Sequence, residues 1–305
     1  MARVFVSYAH SEQTWVLDRL VPVLEAGNAE VVIDVRHFRA GRTVVGEMDR
    51  WQDTADRHLL VITRDYLASK PCRHERDRAI RCDPTFNNGI VLPIRRDDAP
   101  LPAKLTIPNP LYINLRDDRD ADPWARLVQA CDADLGVPAP RWLTARDEIE
   151  RSLNKGRSVN LVVGNGTPWQ PLLAHLRSRP GLEMPVIDLN SGAVADRPTL
   201  LQEMLRGLGS RAALPECPKD LLVFHNEITA RGVSRVSRVA LVHFDMAPYK
   251  FPNDVPLFAA LRHLITDARK LALLVHSHAP FQTLLPRDHP LSEIDLTTVT
   301  LSATP

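Results

Sequence analysis

The groups best placed for chemistry near the amino terminus follow a short apolar run. Val4-Phe5-Val6-Ser7 gives way to Tyr8-Ala9-His10-Ser11-Glu12, so a phenol, an imidazole and a carboxylate share one polar turn. The run reads as a buried strand whose carboxyl end opens into a loop and then a helix. In an open parallel α/β sheet, ligands bind outside the carboxyl ends of the strands. Tyr8 to Glu12 is therefore the first candidate binding loop. Asp34 closes a second apolar run, Val31-Val32-Ile33, and by itself suits the capping of backbone donors in a turn. Glu75 lies in the polar stretch from Ser69 to Arg81. Taken alone it reads as an exposed helix-surface acid with Arg78 at i+3. The four cysteines, Cys72, Cys82, Cys131 and Cys217, are scattered without zinc-ligand spacing, and no metal site is expected.

These groups need elements to hold them. The stretch from Glu12 to Glu25 carries Val16, Leu20, Val23 and Leu24 on one stripe and predicts a helix. Pro22 removes a donor and is expected to kink or shorten it. Strands are expected at Val31 to Ile33, Leu59 to Thr63, Ile90 to Ile94 and Leu111 to Asn114, in addition to the first. Helices are expected over 44–54, 65–68, 72–81 and 123–133, and Asp97 to Pro110 reads as a proline-rich loop. Five strands alternating with helices imply a doubly wound parallel sheet. At 305 residues the chain has room for about two domains. With 44% apolar and 25% charged residues it is of globular rather than disordered composition. A formal net charge of +1 provides no field for nucleic acid or an anionic membrane. No apolar run approaches the ~18 residues of a membrane span. No secretory segment precedes the first strand, and the expected location is cytoplasmic.

Three stretches together resemble the signatures of the Toll/interleukin receptor (TIR) domain. Phe5-Val6-Ser7-Tyr8 looks like its first box. Ile33-Asp34-Val35 through Phe38-Arg39-Ala40-Gly41 resembles its second box with the BB loop. Ser69 to Glu75 is similar to the segment that carries a glutamate at the start of a helix. The resemblance covers residues 1–136 and implies a flavodoxin-like five-stranded parallel sheet. It further implies cleavage of the nicotinamide–ribose bond of NAD, with NAD as substrate, no cofactor, and Glu75 as the catalytic carboxylate. Such cleavage develops oxocarbenium character on the ribose, which a fixed carboxylate stabilises. Nicotinamide leaves as a neutral group, so one carboxylate suffices. By the same resemblance Tyr8, Ala9, His10, Asp34, Phe38 and Gly41 are substrate-binding candidates. His10 would stack on or hydrogen-bond the nucleotide, against its plain reading as a surface histidine. Phe38 would contact a neighbouring protomer or cover the substrate, and Gly41 would supply an unusual backbone conformation. The family often has tryptophan four residues before the glutamate. Here Pro71 stands there, leaving Trp51 or Phe38 to replace it. Self-association through TIR domains and an effector role in bacterial immunity are the implied context. A non-enzymatic TIR scaffold is the alternative.

Val137-Pro138-Ala139-Pro140 reads as a linker, and Thr144 with Asp147 as a capping box opening a helix. Residues 141–305 then alternate again. Strands are expected near 159–163, 186–189, 239–244, 271–276 and 297–301. The order resembles P-loop NTPases of the AAA and STAND kind. Gly164 to Trp169 takes the place of the phosphate loop, Leu241 to Asp245 that of the Mg-binding strand and Leu273 to Ser277 that of the sensor strand. A phosphate loop needs a lysine and a Ser/Thr after its last glycine. This chain has Thr167-Pro168-Trp169-Gln170-Pro171. A degenerate, inactive NTPase fold serving sensing, oligomerisation or docking of a trigger protein is expected. His276 and His278 alternate at a strand end, too few ligands for zinc.

Overall fold

The computed structural model describes residues 1–37, 44–106, 110–231, 236–286, 288–292 and 294–303. The chain divides into two compact units, Met1–Leu143 and Thr144–Pro305. In the first, strands β1 (Arg3–Ser7), β2 (Glu30–Val32), β3 (Arg57–Ile62), β4 (Val91–Arg95) and β5 (Ile113–Asn114) form one sheet in the order β2-β1-β3-β4-β5. Every pairing is parallel, and the order is the flavodoxin-like one. β1 and β3 lie inside the sheet with helices on both faces. Their residues are accordingly apolar on both sides, with Val4, Leu59, Leu60 and Val61 fully buried.

Helical structure runs from His10 to Ala26, and Pro22 does not end it. The turn before the proline widens instead. Val16–Leu20 is a π turn in which the Val21 N–H reaches the Val16 carbonyl. Pro22 follows in the segment Val21–Ala26, and the chain stays helical through it. Asp34 does not end a strand. It opens a short helix, Asp34–His37. The loop expected over 97–110 contains a helical turn at Ala103–Thr106.

Residues expected as a linker begin a helix, Ala139–Asn154. Pro140 sits in its first turn, where a proline lacks only a donor without an intrahelical acceptor. Thr144 lies inside the helix rather than at its start. The second unit has strands β6 (Ser158–Val163), β7 (Val186–Asp188), β8 (Ser237–Val242), β9 (Leu271–Ser277) and β10 (Leu296–Leu301), ordered β10-β6-β9-β8-β7 and all parallel. β6 and β9 are buried along their whole length. The order places β9 between β6 and β8. Buried Asn160 ties the centre together. Its Nδ2 donates to Val275 O (3.2 Å) and Ser277 Oγ (2.8 Å), and its Oδ1 accepts from Phe281 N (2.8 Å). Among the described residues no helix is long and apolar enough to cross a membrane.

Gly27 packs against the turn at Ala133 and Asp134. A Cβ there would lie 2.8 Å from Ala133 Cβ and 3.1 Å from Asp134 N, and the Gly27 carbonyl accepts from Asp134 N at 2.9 Å. Gly27→Ala is expected to destabilise the unit by about 1–3 kcal/mol, measured as a lower denaturant midpoint. An unchanged midpoint would mean that the 133–134 turn moves away freely.

Candidate functional site

Glu75 sits in the helix Lys70–Cys82. Ser69 caps it by accepting from Cys72 N (3.4 Å), and Pro71 presets the first turn. The preceding short helix, Arg64–Ala68, is capped by Thr63 in the same way. Far from being an exposed surface acid, Glu75 is 5% exposed. Arg78 turns away from it to Asp53 and Asp49. The Glu75 carboxylate instead meets Ser7, whose hydroxyl donates to Oε2. Ser7 Oγ also lies 3.0 Å from the Tyr66 hydroxyl. Ser7 has one proton and gives it to the carboxylate, so Tyr66 must be the donor in that second bond. A directed chain results, from Tyr66 through Ser7 to Glu75. From the other side Gln52 Nε2 donates to the Glu75 carbonyl (3.0 Å), fixing the helix turn itself.

The carboxylate lines a cavity of about 250 Å³ at the carboxyl end of β1, together with Tyr8, His10, Asp34, Met48 and Pro71. Tyr8 donates its hydroxyl to Asp34 Oδ1 at 2.6 Å, joining the ends of β1 and β2. Burial, then the bond to Asp34, holds that phenol well above its ordinary range, so it remains a donor. Cys72 donates to the Tyr8 carbonyl (3.4 Å) and binds the helix to the turn. Burial pushes this thiol up to about 11, which keeps it protonated and unreactive. Glu75 itself is pushed up to about 7 by burial, against the lowering effect of the Ser7 bond, with Asp34 adding to the rise.

Four sequence candidates, Tyr8, His10, Asp34 and Glu75, thus share one cavity wall. Ala9 does not join them, because its side chain packs in the core beside Leu60, Ile62 and Tyr66. Phe38 and Gly41 lie outside the described residues. Trp51 does not line the cavity; Arg50 stacks over its ring at 5.3 Å. Pro71 stands at the rim, with Met48 and Phe5 as apolar lining. Sequence reasoning passed over Ser7, Tyr66 and Met48. Ser7 lay inside the first box and had a signal, being the single hydroxyl of its own strand, β1. Tyr66 had none.

The family model of the TIR domain matches residues 4–128. This amino-terminal region is a TIR domain. Bovine Toll-like receptor 6 is 25% identical over 71 residues, which are 23% of this chain and 9% of the receptor's length. The TIR domain of a Toll-related receptor from Hydra magnipapillata is 19% identical, over 43% of this chain and 98% of that one, with a TM-score of 0.38. The chain is also similar to a subunit of Drosophila ORC bound to DNA (16% identity, 54% and 91% covered, TM-score 0.41). A Walker-type ATPase of Pyrococcus abyssi matches at 12% identity, with 52% of each chain covered and a TM-score of 0.36.

In the second unit the carboxyl ends of the strands hold aromatic rings. Trp169 is 9% exposed and stacks on His276, with centroids 4.0 Å apart and planes at 24°. His276 Nδ1 accepts from His243 N (3.2 Å), so the ring proton sits on Nε2. Burial, then His243 and His278, push this imidazole down to about 4. His243 Nδ1 lies 2.7 Å from Asp188, and His278 Nδ1 3.0 Å from Asp245. Asp245, placed by the resemblance to hold Mg, also accepts the His278 N–H. Gly166 has φ +74°, and the Thr167 N–H turns back to the Gly164 carbonyl. Among the described residues no group of metal-ligating side chains is arranged to hold an ion.

Burial of Glu75 links stability to pH. Below pH 4.5 the carboxyl is protonated in folded and unfolded chains alike. Between 4.5 and about 7 the unfolded chain ionises first, so stability falls as pH rises, and the whole penalty applies above about 7. Glu75→Gln is expected to stabilise the TIR domain at pH 8 by on the order of 3 kcal/mol. The gain should vanish near pH 4, as read from melting curves across that range. A gain independent of pH would contradict the burial of an ionisable carboxylate.

Proposed function

We propose that the TIR domain cleaves NAD, with Glu75 as the catalytic carboxylate. The observation that supports this most is a carboxylate, held by Ser7, on the wall of a cavity that Tyr8, His10 and Asp34 also line. The C1′–N bond would break with its electron pair passing to the ring nitrogen, releasing neutral nicotinamide. The ionised carboxylate would stabilise the positive charge left on the ribose. Water then adds to C1′ and loses its proton, giving ADP-ribose, nicotinamide and one proton. A nearly dry carboxylate suits the task, because its charge acts through few water molecules. The cationic nicotinamide riboside favours the ionised form of Glu75 once it enters.

A cavity of about 250 Å³ falls below the ~300–1,000 Å³ usual for ligand sites. TIR domains associate with one another, and we infer that a second protomer completes this site through its BB loop, the segment with Phe38 and Gly41. Activity would then depend steeply on assembly. An antiviral effector role, depleting NAD in a bacterial cell, follows from the resemblance to such architectures. The second unit would supply assembly or docking of a trigger protein and no nucleotide hydrolysis. Its support is the loop without lysine and the indole of Trp169 lying over β9. One observation favours the alternative of a non-enzymatic scaffold, namely Pro71 at the rim where an aromatic platform is expected.

Concentrated or artificially clustered protein is expected to release nicotinamide from NAD, followed by chromatography. Glu75→Ala and Glu75→Gln should lower the rate by about 10²–10³-fold while the fold persists. A loss under tenfold would remove Glu75 from the chemistry, and no release even from clustered protein would leave the scaffold. Since kcat/KM reports the free enzyme, it should rise with pH and level off above about 7, where Glu75 is ionised. A profile flat from pH 5 to 8 would contradict the role of the ionised form.

A further inference from the structure

The helix Lys70–Cys82 has a second working face. Pro71, Cys72 and Glu75 face the cavity described above, while Arg73, Arg76 and Asp77 line a separate cleft of about 460 Å³. Its far wall is the segment Pro100 to Lys104, and Leu67 and Leu101 supply apolar surface.

Arg76 is the unusual residue. It is 6% exposed, yet among the described residues no hydrogen bond reaches its guanidinium. Its Nε is buried and unbonded. Its ion-pair neighbour is Asp77, with Nε 3.5 Å from Oδ1, and that oxygen is likewise buried without a hydrogen bond. A guanidinium carries five donors and cannot shed its charge, and with only its Nε fully buried the terminal nitrogens remain open to acceptors supplied from the cleft. Two further cations stand at the same cleft. Arg73 is exposed and has no ion pair among the described residues. Lys104 lies 3.3 Å from Asp77 Oδ2. Three cations against one carboxylate leave an excess of two positive charges.

We propose that this cleft binds a phosphate monoester on a body of nucleotide size. The phosphate sits against Arg76 with Arg73 and Lys104 around it, and the body packs on Leu67 and Leu101. Three features select this ligand. A phosphomonoester carries nearly two negative charges and three acceptor oxygens. Arginine meets such a group with paired N–H donors. The cleft volume matches that of small-molecule sites, which commonly run to ~300–1,000 Å³.

Isothermal titration of the full chain with adenosine 5′-monophosphate, and separately with adenosine, tests the proposal without using NAD turnover. The nucleotide is expected to bind saturably and adenosine far more weakly. Arg76→Gln should weaken nucleotide binding by about tenfold or more, and Arg73→Ala severalfold. Arg73 is exposed, so its variant reports even if Arg76→Gln fails to fold. Glu75→Gln should bind the nucleotide like the native chain. Any of three results overturns the proposal. One is no saturable binding up to about 10 mM. Another is binding unchanged in Arg73→Ala and in any folded Arg76→Gln. The third is binding lost in Glu75→Gln but kept in Arg73→Ala, which locates the nucleotide in the other cavity.

Discussion

A single buried carboxylate constrains the amino-terminal unit. Glu75 lies in a helix but is served by a strand, because its donor is Ser7 at the end of β1. The domain must keep β1, the Arg64–Ala68 turn and the Lys70–Cys82 helix in one register, or the carboxylate is left dry and unpaired. The bonds around it follow from that need. Tyr66 orients Ser7, Gln52 holds the helix turn, and Cys72 fastens the helix to the Tyr8 carbonyl. Burial at this point opposes stability above neutral pH, and a group that costs stability in this way is characteristic of a functional position.

The same helix separates two environments. On one side an acid is short of water, and on the other a guanidinium is short of acceptors. Tyr66 stands between them. Its hydroxyl bonds Ser7, and the charges of Glu75 and Arg76 act on it with opposite sign. Local order in the helix serves both faces, since residues three apart share a side, Cys72 with Glu75 and Arg73 with Arg76.

The second unit keeps a parallel sheet and fills the carboxyl ends of its strands differently. The usual ligand region of such a sheet holds an indole stacked on an imidazole, with two further histidines each facing an aspartate. Asp188 and Asp245 are engaged by these rings rather than presented to a cation. A buried His276 beneath Trp169 packs this edge of the sheet as a core is packed.

Much of the architecture was legible in the amino-acid sequence, since strand runs, helix stripes and the three box segments are local patterns. Proline was the least legible signal. Pro22 is expected to kink or shorten its helix, and the helix continues through it with a π turn just before; of the expected linker Val137–Pro140, the last two residues already belong to a helix, in whose first turn Pro140 gives up no hydrogen bond. Thr144, chosen as a cap, lies inside that same helix. The site divided along another line. Tyr8, His10 and Asp34 follow from their places at strand ends, and Glu75 was singled out by resemblance. Its burial, the turning of Ala9 into the core, the departure of Arg78 to Asp53 and the unbonded state of Arg76 had no sequence signal. Each depends on which distant side chains exclude water from that point, such as Ser7, which lies 68 positions from Glu75. The sequence by itself determined the elements and the candidates; only the tertiary structure decided which charges were dry and what they faced, because solvent exclusion is a property of packing between elements.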